Sequence, residues 1–150
     1  MRTPSRPIDH ILQRLREDWS KQGVPLNPPA THEDLRRLEC ILGVSLPSDV
    51  IAFYSTWNGM VDYESVGEAL VSFWSIDRIC READIAPGGD AGDEFLAVAF
   101  ADVLIYAWCF RFGVRSGGRL SVILDGHPNE FSSLTSFLET YVASPRQLSL

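Results

Sequence analysis

Ile8, Ile11, Leu12, Leu15 and Trp19 recur at the three-to-four spacing of one helical face, and the residues between them are charged or polar. That stripe predicts a first helix over 7–22, opened by Pro7 and stopped before Gly23. Pro25, Pro28 and Pro29 remove backbone donors, so 24–30 should be an extended connector. Thr31 followed by Asp34 reads as a capping box for a second helix. Its buried face is Leu35, Leu38, Ile41 and Leu42, and Gly43 is its stop. Leu46-Pro47-Ser48-Asp49 then restarts the chain, because Pro47 presets the first-turn dihedral and Asp49 suits the positive helix end. Val50, Ile51, Phe53, Tyr54 and Trp57 form the third face, and Asn58-Gly59 supplies a left-handed exit.

Beyond residue 60 the period changes. Leu70 to Ser75 alternates too weakly to have a wet face, which predicts a strand covered on both sides. Ile76, Ile79, Cys80 and Ala83 suggest a short helix capped by Ser75 or Asp77, and the glycine-rich stretch 86–93 should be an exposed loop. Phe95 to Ala101 and Val103 to Phe112, with a break at Asp102, read as antiparallel strands, followed by a turn at Ser116-Gly117-Gly118 and a strand over 120–124. Asp125-Gly126-His127-Pro128 ends this meander. Phe131, Leu134, Phe137, Leu138, Tyr141 and Val142 make a closing helix, with Ser132 or Ser133 as its cap. The layout is α+β: a single domain over 1–150 with a helix at 7–22, a connector at 24–30 and a core at 31–143. Its mostly antiparallel or mixed sheet of four or more strands is packed by N-terminal and C-terminal helices.

Charge narrows the partners. Thirteen Lys+Arg face twenty Asp+Glu, a formal net charge of -7, so direct nucleic-acid binding and adhesion to anionic membranes are disfavoured. Asp62, Glu64, Glu68, Asp77, Glu82, Asp84, Asp90, Asp93, Glu94 and Asp102 outweigh Arg78 and Arg81 in their segment, which should draw a basic protein. Cys40, Cys80 and Cys109 are odd in number, far apart and set in apolar segments, as suits buried reduced thiols in the cytoplasm. No apolar signal-peptide core follows Met1, and the apolar stretch 95–110 is shorter than the roughly 20 residues of a membrane span.

Catalytic constellations do not assemble. Asp90-Ala91-Gly92-Asp93-Glu94 lacks the alternating oxygens and distal Glu of a calcium loop, and His10, His32 and His127 have no zinc-ligand spacing. Cys109 sits among Trp108, Phe110 and Phe112 with no base beside it. Phosphate loops, nucleophile elbows and dinucleotide fingerprints are absent from the sequence. No enzyme activity, cofactor or metal is therefore expected. Trp57 reads either as a binding anchor or as packing beneath the helix stop.

Pro29-Ala30-Thr31 through Leu38-Glu39, Leu42-Gly43, Leu46-Pro47, Phe53-Tyr54 and Trp57-Asn58-Gly59 resembles the signature of the SUKH superfamily. That superfamily includes bacterial toxin-immunity proteins and the fungal Smi/Knr regulators of cell-wall assembly. Its usual pattern is a Thr before a helix, a Glu near that helix's end, Leu-Pro opening the next helix, and Asn-Gly closing it. Thr31, Glu39, Leu46, Pro47, Asn58 and Gly59 match it in order. The resemblance implies a mixed sheet packed by helices and a cytoplasmic binding protein. Its partner would be a cognate bacterial toxin, such as a nuclease, or alternatively a host protein bound in a regulatory or scaffolding role. On that reading Asp62, Glu64, Glu68, Asp90, Asp93 and Glu94 form an acidic lure, with Tyr63 and Trp74 as exposed aromatic anchors.

Overall fold

The computed structural model describes residues 7–61, 71–83, 86–87, 95–103, 108–115, 118–124 and 130–143. Helices α1 (Pro7–Gln22), α2 (His32–Leu42) and α3 (Ser48–Thr56) precede β1 (Val71–Phe73) and the short α4 (Ile76–Arg81). Then come β2 (Ala86–Pro87), β3 (Phe95–Val103), β4 (Trp108–Arg115), β5 (Leu120–Leu124), β6 (Glu130–Phe131) and α5 (Leu134–Ala143). The strands form one antiparallel sheet in the order β1-β3-β4-β5-β6. β2 pairs with β3 at Leu96 and Ala97, on the edge that β1 occupies at the other end through Ala101 to Val103.

The predicted stripe of α1 is buried throughout, from Ile8 to Trp19. Connector 24–30 is extended and tied to the chain beyond α3 by a bridge between Leu26 and Met60. Phe73, in β1, gathers the helices on one face of the sheet. Its ring lies 5.5 Å from Trp19 of α1, 5.6 Å from Phe53 of α3 and 6.1 Å from Phe137 of α5. Phe110 at 4.7 Å and Phe100 at 5.8 Å also meet Phe137, and Phe100 stacks on Phe112 at 4.0 Å. Aromatic edge-to-face contacts of this kind add to the burial term.

A register shift in β3 decides what the opposite face contains. Ala99 pairs with Arg111, but Ala101 pairs with Phe110, so Phe100 is an extra residue bulging from the strand. Strict alternation from Val98 would turn Asp102 toward the aromatic rings. The bulge reverses the parity, so Phe100 and Ala101 both face the helices and Asp102 shares the other face with Ser72 and Cys109.

Several expectations need correction. The chain does not break at Asp102, which lies inside β3, because the bulge absorbs the irregularity two residues earlier. Ala86 and Pro87 pair with β3 where the glycine-rich pattern predicts a loop, while the rest of 86–93 lies outside the described residues. Phe131 belongs to β6, and α5 starts at Leu134 with Ser133 Oγ accepting from Ser136 N at 3.1 Å. Ile51 is 39% exposed, because Val50, Phe53 and Tyr54 already fill the inward arc of α3. The thiols are not buried: Cys40 is exposed and Cys80 and Cys109 are half-buried, although burial still pushes the Cys80 thiol above its usual range, Arg37 partly opposing it.

Candidate functional site

The signature residues build a clamp. Thr31 Oγ1 accepts from Asp34 N at 3.1 Å while Asp34 Oδ2 accepts from Thr31 N at 3.0 Å, which completes the predicted capping box. Gly43 takes φ 71° and donates its N–H to Glu39 O. Glu39 Oε2 accepts from Leu46 N at 3.0 Å, which closes the turn between α2 and α3. Pro47, at φ -59°, is the N-cap of α3 without a side-chain bond. Asp49 Oδ1 accepts from Val50 N at 2.9 Å. Its Oδ2 accepts from both the backbone N (2.9 Å) and the Oγ1 (2.8 Å) of Thr135, so one carboxylate serves the starts of α3 and α5.

Asn58 and Gly59 lock this helical half onto the strand half. Asn58 Oδ1 accepts from Ile76 N, the first residue of α4, at 2.8 Å. Asn27 Nδ2 donates to Asn58 O and to Met60 O, each at 3.0 Å. Gly59 has φ 72°, and a Cβ there would lie 2.4 Å from the backbone C and O of Trp74. Two constraints, a left-handed dihedral and a backbone-to-backbone approach, therefore meet at one glycine. Helix α3 itself ends earlier, at Thr56, with Trp57 in extended dihedrals as its C-cap. Trp57 is buried, with its ring 5.4 Å from Trp19 and the Arg16 guanidinium 5.2 Å above it, so packing is the reading that holds.

Trp74 is not an exposed anchor. It is 3% exposed, and its indole Nε1 donates to Asp102 Oδ2 at 2.8 Å. The physical reason is the bulge, which turns Asp102 toward α4 and gives the indole N–H an acceptor. Arg78, 2% exposed, shares that oxygen through Nη2 at 3.3 Å, pairs with Glu82 through Nε, and lays its guanidinium 4.2 Å over the Trp74 ring. Ser75 Oγ caps α4 by accepting from Arg78 N. Sequence patterning marks Arg78 and Asp102 only as charges in an acidic stretch. Their apolar neighbours are the available hint, since a charge amid an apolar run is buried only when paired.

Asp62, Tyr63, Glu64, Glu68, Asp90, Asp93 and Glu94 lie outside the described residues. Their points of attachment are described. Segment 62–70 runs from Val61 into Val71, which pairs with Val103, and the second segment leads through Pro87, opposite Leu96, into Phe95. Six pleated steps separate those anchor pairs, Leu96 to Val103 less the bulged Phe100, as Val114 to Trp108 on β4 also counts, roughly 20 Å at about 3.3 Å per residue. Segments 62–70 and 84–94 together hold seven carboxylates and no Lys or Arg, which leaves thirteen Asp+Glu against thirteen Lys+Arg in the rest of the chain. The net charge of the protein thus resides in these two segments.

Among the described residues no three His, Cys, Asp or Glu side chains gather as metal ligands, and no helix is long and apolar enough to cross a membrane. A cleft of about 390 Å³ lies between the last turns of α1 and α5, with Trp19 and Tyr141 joined by a 3.2 Å hydrogen bond and Arg14, Asp18 and Lys21 around them.

Helices α1, α3 and α5 gathered on one face of an antiparallel sheet, α4 docked on the other, and marked residues engaged in holding the frame define an α+β domain whose signature is architectural. The model of the SMI1 / KNR4 family (SUKH-1) matches residues 29–140, and the chain belongs to that family. The match begins at the connector, so α1 precedes it. Membership points to a domain that binds other proteins. No curated protein matches the chain.

Proposed function

We propose that this domain is a cytoplasmic immunity protein that binds a cognate bacterial toxin and silences it by covering its working surface. The observation that carries the reading is the charge distribution: an electrically balanced frame bearing seven carboxylates in two segments, both joined to one edge of β3. A partner with a basic surface fits it, and a nuclease has one by necessity, since it must attract phosphate backbones. The roughly 20 Å between the anchor points is within the breadth of an interface burying about 800 Å² per partner, so one toxin can meet both segments. Asp62, Glu64, Glu68, Asp90, Asp93 and Glu94 speed encounter in this reading, and Tyr63 holds the complex. Contact alone is the activity, with no cofactor or metal.

Affinity purification from the native cells, with mass spectrometry of what comes along, tests the assignment. A toxin domain is the expected catch, whereas a host cell-wall or signalling protein would establish the regulatory alternative. With the partner in hand, association should slow about tenfold or more as salt rises from 50 to 500 mM, because screening shortens the reach of surface charge. A flat salt profile would remove the acidic segments from the mechanism.

A further inference from the structure

We draw no further inference here: the strongest candidate, the cleft between the last turns of α1 and α5 lined by Arg14, Asp18, Lys21 and Tyr141, carries nothing, because Arg14 and Asp18 already pair with each other along its wall and nothing in the structure shows what covers it.

Discussion

On the face of the sheet that meets α1, α3 and α5, cohesion comes from Phe73, Phe100, Phe110, Phe112 and Phe137, whose rings pack together, with the hydrogen-bonded Trp19 and Tyr141 against Phe73. On the opposite face, Ser72, Asp102, Arg111 and Ser121 are buried in register, and Arg78 and Trp74 converge on Asp102. The first face gains stability from apolar area and packing density, and tolerates swaps that conserve volume. The second gains little net energy from its charges, because desolvation offsets most of the attraction between buried ions. What it gains is direction: α4 can dock in one way only, with Arg78 over Trp74 and against Asp102. The helical face thus supplies most of the stability, and the charged face fixes the position of the unit lying between the two acidic segments.

The largest effect expected is from Phe137→Ala, which empties the centre of the ring cluster and should cost about 4 kcal/mol in urea unfolding. A loss under about 1 kcal/mol would mean that the helical face is not the main source of stability. Asp102→Ala should cost about 3 kcal/mol, the low end for a broken buried pair because Glu82 still faces Arg78. The double variant Asp102→Leu with Arg78→Met should recover much of that loss. If it instead unfolds the protein further, the charges are contributing net stability and the contrast between the faces fails.

Gly59→Ala probes the junction between the two halves. The left-handed dihedral and the approach to Trp74 should together cost about 2 kcal/mol, seen as a lowered Tm. An unchanged Tm would show that the halves are not held at that contact. The smallest effect is expected at Tyr54, whose buried hydroxyl has no hydrogen-bond partner among the described residues and whose burial pushes its pKa far above the usual tyrosine range. A raised folded-state pKa means that the unfolded chain loses this proton first, so stability should hold below about pH 10 and fall above it. Tyr54→Phe should be neutral or stabilising by up to about 1 kcal/mol and should flatten that alkaline decline. Destabilisation by Tyr54→Phe would mean that the hydroxyl has a partner after all.

Local features are legible in the amino-acid order. The α1 stripe, the Thr31–Asp34 box, the Gly43 stop, the Ser75 cap and the doubly covered β1 depend on residues within about one turn of each other, where spacing and side-chain chemistry act directly. The family can be read from the same stretch, because its signature marks a run of caps and turns. The acidic segments can be read as charge and no further.

Features joining distant residues cannot be read in that way. The bulge at Phe100 arises from the pairing of β3 with β4, and it alone sends Asp102 away from the rings and buries Trp74 beside it. Asp49 has the spacing of a cap for its own helix, yet it also accepts from Thr135, 86 positions later in the chain. Gly59 has the pattern of a helix stop, but its tighter constraint is the backbone of Trp74 and Ser75 passing against it. Sequence by itself determined the helices, the caps of α2 and α4, the main strand-forming runs and the family, because backbone preferences and amphipathic period act over a few residues. Tertiary structure alone decided which charges are buried and that the Trp74 ring is buried with them, because strand register and chain crossing depend on contacts that no local window contains.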